Sequence, residues 1–467
     1  MIADALIERL LKSALSDGGD YADIYIEQRK GTVIQFEDGR IEKAVSGSIA
    51  GVGIRLIRDL KTAYAYSNDF SETTLNEIAD TVRIAMRPAS SSSACPDVLI
   101  DLKRRYHEVP SVIKLFPETV PMLAKIALVR EGNKAARKFS DAIKQVNIVY
   151  KDSVQRVKIF SSDGFICEDE RVHTTALAHV IASKGDCIQT GYETEGGCIG
   201  FELFEKRPFS DIAYKAAERA VRMLDARRAP GGRMSVVISS EAGGTMIHEA
   251  IGHGLEADLA QRGLSIYSGK LGQQIASPSI TVIDDATLPN KRGSFSCDDE
   301  GTPSRRNVLV KGGILASYMY DKYTAMIDGV ESTGNGRRES YENKPIPRMT
   351  NTFIAPGQVS PHEVIESIAQ GLLIKKMGGG QVNTVTGDFV FDVQEGYLIE
   401  NGQVGDLVRG ATLVGNGPQV LNSIDMVGSD LGFSIGTCGK DAQGVPVADA
   451  MPTLRIKEIV VGGEVQS

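Results

Sequence analysis

His248, Glu249 and His253 stand together in the stretch GGTMIHEAIGHGLEAD, residues 243–258. Imidazole is a common zinc ligand, and in helices that read H-E-x-x-H the glutamate after the first histidine acts as acid/base rather than ligand. Here the second histidine comes five residues after the first instead of four. In a straight α-helix a five-residue step turns about 140° around the axis, which splays the two rings apart. A π-helical turn, with roughly 4.4 residues per turn, returns i and i+5 to one face. Gly252 lets the helix deform or end there. The sequence therefore predicts a local irregularity between His248 and His253 and a two-histidine metal face. Glu249 would take a proton from water activated by the metal and pass it to a leaving amine. The plainer alternative is a pair of helix histidines satisfied by hydrogen bonds near a subunit interface.

A catalytic zinc needs a third protein ligand and one open position. The other histidines, His107, His173, His179 and His362, are poor choices. The first three precede the main boundary described below, and His362 reads as the start of a surface helix. Glu256 and Asp258 would need a turn of the chain to reach the site. Cys297 in SFSCDDEGTP and Cys438 in SIGTCGKDAQGVP are further candidates, because a thiolate favours zinc. Either could equally be an ordinary buried thiol. The glycines around Cys438 allow close backbone approach and favour it.

Other stretches carry weaker signals. STGNGRRESYENKPIPRMTNT is dense in Gly, Arg and Asn, and reads either as a cradle for a carboxylate or peptide backbone or as a long surface loop. The acidic run Asp298, Asp299 and Glu300 reads as a solvated face. KKMGGGQVNTVTGDF lacks the G-K-[S/T] ending of a P-loop. No P-C-x-x-C follows the histidines, which disfavours a deaminase.

These residues must be positioned by a large fold. With 467 residues, two or three domains are expected. The first 228 residues read as an α/β domain. An amphipathic first helix carries Leu6, Leu10, Leu11, Ala14 and Leu15. Strands YADIYIEQ, TVIQFEDGRIEKAV and AGVGIRLIRDLKTAYAYS follow, with a hairpin at Asp38-Gly39, and then a helix N-capped by Ser71. The order recurs later, with Asp163-Gly164 matching Asp38-Gly39, as an internal duplication or as ordinary α+β alternation. RPASSSSACP, 87–96, breaks the two halves. Pro230-Gly231-Gly232 marks the main boundary. Residues 233–467 read as a β-rich barrel or sandwich with two helices, one bearing the histidines and one in SPHEVIESIAQG that Gly371 could cap. The fold class expected is thus α+β.

A net charge of −8 argues against a general nucleic-acid binder. No apolar run is long enough to span a bilayer, and charged residues interrupt the N-terminal leucines where a secretory signal would not. The six cysteines have no C-x-x-C pairing, so a disulfide framework is not expected and a reduced, cytoplasmic protein is the simplest reading. The 49 glycines suit a turn-rich, antiparallel architecture.

Six motifs in one order, HEAIGHGLEAD, DDEGTPSRRNVL, TGNGRRESY, PRMTNTFIAPG, GGGQVNTVTGDFVF and IGTCGKDAQGVPV, resemble the TldD/PmbA family of metalloproteases, and most of all its TldD-type subunit. The resemblance spans nearly the whole chain. It implies an α/β N-terminal domain and a β-rich C-terminal one, with Zn2+ bound by His248, His253 and Cys438 and Glu249 as acid/base. It implies extended or unfolded peptides as substrates, including modified peptides trimmed of leader or tail segments. It also implies a homodimer or a heterodimer with a PmbA/TldE-like subunit that lacks the H-E-x-x-x-H motif. The rival is a non-catalytic peptide-binding or gyrase-modulating partner.

Overall fold

Long alternating strands dominate the first half of the chain. The computed structural model describes residues 2–87, 100–105 and 111–464. The polar stretch 88–96, with Cys95, and His107 lie outside the described residues. Helix α1 (Asp4–Leu15) is followed by β1 (Tyr21–Glu37), β2 (Arg40–Arg58), β3 (Lys61–Ser67) and α2 (Glu72–Ala85). After β4 (Lys103–Arg105) come α3 (Met122–Lys138), β5 (Ile143–Ser161), β6 (Phe165–Lys184), β7 (Cys187–Gly197), a short α4 (Leu203–Lys206) and α5 (Phe209–Arg222). The helix–three strands–helix order therefore recurs, as the sequence suggests. Ser71 caps α2 by accepting the Thr74 amide. Asp38 and Gly39 both take positive φ, 46° and 84°, as a two-residue hairpin turn requires.

All seven strands form one sheet, ordered β3-β2-β1-β5-β6-β4, with β7 also on β6. The two repeats meet at its centre, where β1 and β5 run antiparallel from Asp23 opposite Ser161 to Glu37 opposite Asn147. Successive side chains on a strand face opposite ways. The even-numbered Ile24 packs under α1 and α2, and Ile34 packs under α3 and α5. The odd-numbered face of β1, with Tyr21, Asp23, Tyr25 and Glu27, is buried as well. It meets the second half of the chain, where Tyr25 packs with Cys297 and Tyr341.

The chain crosses to a second set of sheets at β8 (Arg227–Arg228) and β9 (Gly232–Ile238), and then makes the histidine segment, including the one-turn α6 (Thr245–Ile247) and α7 (Ala257–Gln261). The strands β10 (Val282–Asp285), β11 (Arg306–Lys311) and β12 (Ile314–Leu315) precede α8 (Lys322–Asp328). Then come β13 (Gly336–Arg337), β14 (Ile346–Pro347), β15 (Asn351–Ile354), α9 (Pro361–Glu366), β16 (Gln370–Val382), β17 (Asp388–Glu400), β18 (Gln403–Arg409) and β19 (Thr412–Asn416). Helix α10 (Gly417–Ser423), β20 (Ile424–Val427), β21 (Gly432–Lys440), β22 (Gln443–Met451) and β23 (Leu454–Gly462) complete the order. Strands β16-β9-β23-β19-β17 pair in that order, and β16 also pairs with β17, so five strands close into a barrel. A separate sheet runs β12-β11-β10-β15-β22-β21. The architecture is α+β, with a closed β-unit in the second half.

Several expectations need correction. Gly371 does not cap the SPHEVIES helix, which ends at Glu366 with Ser367 as cap; Gly371 lies inside β16. Helices α8 and α10 go unread in the sequence because each is only seven residues long, too short for a periodic pattern. Helix α8 is held instead by a capping box between Asp321 and Thr324 and by left-handed Gly329. Asp298, Asp299 and Glu300 are buried, not solvated, because basic side chains and backbone amides of the opposing elements engage them. Arg337, Arg338 and Arg348 are buried too, so of the two readings left open for their segment the long surface loop does not hold at these residues. Cys167 and Cys297, 130 residues apart in sequence, form a disulfide across the seam between the two halves. Their spacing gives no hint of this, because only the packing of β6 against the 295–300 segment brings them together. Among the described residues no helix is long and apolar enough to cross a membrane.

Candidate metal centre

The histidine segment leaves β9 through Ser239 and turns at Gly243, whose φ of +76° suits glycine. One α-helical turn, Thr245–Ile247, leads into a π-helical turn over His248–Gly252 and a tighter turn over His253–Leu255. The predicted irregularity lies between the two histidines. Met246, Ile247, Ile251 and Leu255 are fully buried in the main core of the second half and anchor the segment. Gly252 itself has an ordinary helical φ of −53°. Its glycine is needed for space, because a Cβ there would collide with the Met349 sulfur.

The π turn brings the imidazoles onto one side, with ring centroids 4.9 Å apart and planes at 86°. Cys438 reaches them from β21, its Sγ 3.6 Å from His253 Nε2. One ligand atom from each of His248, His253 and Cys438 lies within 4.8 Å of the others. The structure thus brings together the three residues singled out as ligands. Cys297, the alternative thiol, is committed to Cys167. Glu249 is half-buried, adjoins His248, and takes part in no side-chain hydrogen bond among the described residues.

Each histidine is oriented from behind by a carboxylate. His248 Nδ1 lies 2.8 Å from Asp449 Oδ1, and His253 Nδ1 lies 3.0 Å from Glu256 Oε2. A carboxylate on the far nitrogen fixes the tautomer, turns Nε2 towards the cluster and raises the basicity of the ring. Glu256 is completely buried between its histidine and Lys440 Nζ at 3.2 Å. Lys440 also pairs with Asp258 at 2.6 Å. Arg348 donates to the carbonyl of Cys438 and holds β21 in place. Asp449, Lys440 and Arg348 go unread in the sequence as parts of this site, and Glu256 lies behind His253 rather than in the cluster. The spacing of Glu256, three residues after His253, was the only local hint. Asp449 lies 201 residues from its histidine.

The electrostatics favour a bound cation. Burial opposes ionisation of Cys438, but hydrogen bonds from both histidines outweigh it and bring the thiol down to about 6. Burial also opposes the imidazolium forms, yet Asp449 raises His248, and Glu256 with Cys438 raises His253 to about 10. Glu256 is itself held down to about 2: burial works against this, and Lys440 and His253 overcome it. Three anionic groups thus surround two imidazoles, and a divalent metal would replace their protons. Two imidazoles and one thiolate form a three-ligand set suited to zinc with one position open.

Three family descriptions match successive parts of the chain: PmbA/TldA metallopeptidase domain 1 over 22–89, the central domain over 116–224 and the C-terminal domain over 231–463. A Haemophilus influenzae protein named metalloprotease TldD homolog is 37% identical over 453 residues, covering 95% of this chain and 93% of its own. A Saccharolobus solfataricus zinc metalloprotease TldD homolog is 28% identical, covering 98% and 100%. The fold is shared with a Thermotoga maritima protein described as a candidate modulator of a DNA gyrase, at TM-score 0.80 and 22% identity, covering 98% of this chain and 100% of that one. It is shared too with TldE from Thermococcus kodakarensis, at TM-score 0.77 and 20% identity, covering 98% and 100%.

Proposed function

The chain belongs to the TldD/PmbA family of metallopeptidases, and on that premise we propose that it is the catalytic, TldD-type member, a zinc-dependent hydrolase of peptide bonds in unfolded or modified peptides. The observation that carries this reading is the convergence of His248, His253 and Cys438, with a carboxylate behind each imidazole. Zinc held by these ligands would supply Lewis acidity, polarising a carbonyl and lowering the pKa of water to near 7. Asp449 and Glu256 keep both Nε2 atoms turned to the cluster. Glu249, next to His248 and without a competing hydrogen bond, is the base that takes the proton from the attacking water and returns it to the leaving amine.

Strand β21 supports the substrate assignment. It carries Cys438 and ends the order of its sheet, so an extended peptide could add along it through backbone hydrogen bonds with little side-chain selectivity. The likeness to a TldE fold supports pairing with a related subunit or with a second copy. We also infer two structural units, 1–228 and 233–467. The two large apolar clusters of the first sheet draw only on residues up to Leu224, and the main cluster of the second half begins at Ala229.

The rival reading is a non-catalytic peptide-binding or regulatory partner, for which the gyrase-modulator description of a fold neighbour speaks. The complete ligand set and its carboxylate supports weigh against it. Glu249→Gln separates the two readings. It should retain zinc and lose hydrolysis of an unfolded protein such as casein; undiminished turnover in that variant would remove Glu249 from the mechanism.

A further inference from the structure

On the opposite side of the Cys438 hairpin lies a cavity of about 250 Å3 that the peptidase reading does not use. Strands β5 and β6 form one wall, and the 292–299 and 337–339 segments form another. The β21–β22 hairpin closes it through Thr437, Gly444 and Pro446. Thr437 and Cys438 are successive residues of β21, so their side chains face opposite ways. The cavity therefore backs onto the metal cluster without being part of it.

Six basic and three acidic side chains line this cavity. Asp152, one of the acids, is already bound to Lys125. Asp299 is taken up by Arg171 at 2.6 Å. Arg292 and Arg337 have no carboxylate within 4.0 Å among the described residues. Arg337 is 4% exposed and donates only to the carbonyls of Met349 and Pro446; Arg292 donates to the carbonyl of Gly436. Arg338, 3% exposed, leaves its buried Nε without a hydrogen-bond partner. Both Arg171 and Arg337 lie over the Phe295 ring, at 5.3 and 5.4 Å, so two like charges share one aromatic side chain. Burial alone brings Arg292 down to about 10, and burial is also the main cause for Arg337, which falls to about 10.

A guanidinium taken out of water without an anionic partner is costly, and proteins keep such groups where something compensates them. The planar forks of arginine match the oxygens of phosphate and carboxylate. Arg29 already pairs with Glu27 at 3.5 Å, Arg171 also with Asp169 at 2.8 Å, and Arg338 lies 3.7 Å from Asp23. Among the described residues, Arg292, Arg337 and the exposed Lys151 are thus the lining cations left without a carboxylate. More than one such cation suits an anion that carries more than one negative charge. We propose that this cavity is a binding site for a phosphate group, either free inorganic phosphate or that of a small phosphate monoester. Bound there, the anion would brace Arg337, which holds the carbonyls of Met349 and Pro446, and so would stiffen the hairpin that presents Cys438.

The test is calorimetric titration and thermal unfolding of the full-length protein with inorganic phosphate, with glycerol phosphate and with sodium chloride at matched ionic strength. Saturable phosphate binding and a raised melting temperature, absent with chloride, are expected. Stronger response to glycerol phosphate than to phosphate would identify the monoester as the better ligand, and the reverse would identify the free ion. Arg292→Gln should weaken binding by about tenfold or more, since it removes a charge-assisted contact. Lys151→Gln, at an exposed rim position, should weaken it by a few-fold and cannot disturb the core. In Cys438→Ser the phosphate response should persist. Its loss there would place the anion at the metal cluster and overturn the proposal, as would equal responses to phosphate and chloride, or unchanged binding in both Arg292→Gln and Lys151→Gln.

Discussion

At the scale of single residues, the three members of the His–His–Cys cluster are legible in the sequence and the carboxylates behind them are not. His248, Glu249 and His253 announce themselves by spacing, and Cys438 by its glycine neighbours and by resemblance to a family. Asp449 is invisible, because nothing local ties an aspartate to a histidine 201 residues away. It is nonetheless the residue that fixes His248. Replacing Asp449 with Asn should lower zinc affinity by about 10- to 100-fold, measured by competition with a chromogenic chelator, and leave the secondary structure intact. Unchanged affinity would mean that the carboxylate only fills space. His173 offers a second test. Burial, with Arg292, Arg171 and Arg337 around it, holds it neutral down to about 3, against 6.5 in the open chain. Between those values the unfolded chain takes up a proton that the folded one refuses. Stability should therefore fall as pH drops through this window, by up to about 1.4 kcal/mol per pH unit. His173→Gln should flatten that part of the unfolding profile, and a profile parallel to the wild type would rule the residue out as a contributor.

At the scale of elements, strand character, the four major helices of the first half and the π turn can be read from periodicity and geometry, but strand length cannot. The sequence reads β1 as two pieces, and the left-handed Asp59-Leu60 turn between β2 and β3 goes unread. Alternation survives in strands 17 to 20 residues long, and a five-residue histidine spacing has few ways to face one ion. Helices α8 and α10 go unread, because seven residues carry fewer than two helical periods; the six-residue α9 is read all the same, where Ser360, Pro361 and Glu363 mark its start. The π turn depends on close packing of Gly252 against Met349, a contact 97 positions away in sequence and so hidden from local reading. Gly252→Ala should destabilise the protein by about 1–3 kcal/mol through overpacking and should weaken metal binding with it. Adding Met349→Ala should restore much of both, as followed by denaturant midpoints and zinc titration. If the double variant is no better than Gly252→Ala alone, the collision is not the reason for the glycine.

At the scale of the whole molecule, the two halves are joined by buried charge as much as by apolar contact. The acidic run at 298–300 reads in the sequence as a solvated face, because charge runs usually are. Here Arg55 of β2 lies between Asp23 and Glu300, its nearest Glu300 oxygen at 2.7 Å, and Arg171 of β6 pairs with Asp169 at 2.8 Å and Asp299 at 2.6 Å. Only the tertiary fold places cations from one half opposite anions from the other. Breaking such a network from one side strands the remaining charges. Arg55→Met should cost about 3–5 kcal/mol, read as a shift of the chemical unfolding midpoint, and the pairing would be dispensable if the midpoint held.

The proposed chemistry depends on His248, His253 and Cys438 holding a single zinc that Glu249 serves. Elemental analysis beside peptide hydrolysis, on the wild type, Cys438→Ser and Glu249→Gln, tests it most directly. About one zinc per chain is expected in the wild type and in Glu249→Gln, with activity only in the former, and both metal and activity should be lost in Cys438→Ser. Full zinc and full activity in Cys438→Ser, or no zinc in a reconstituted wild type, would contradict it.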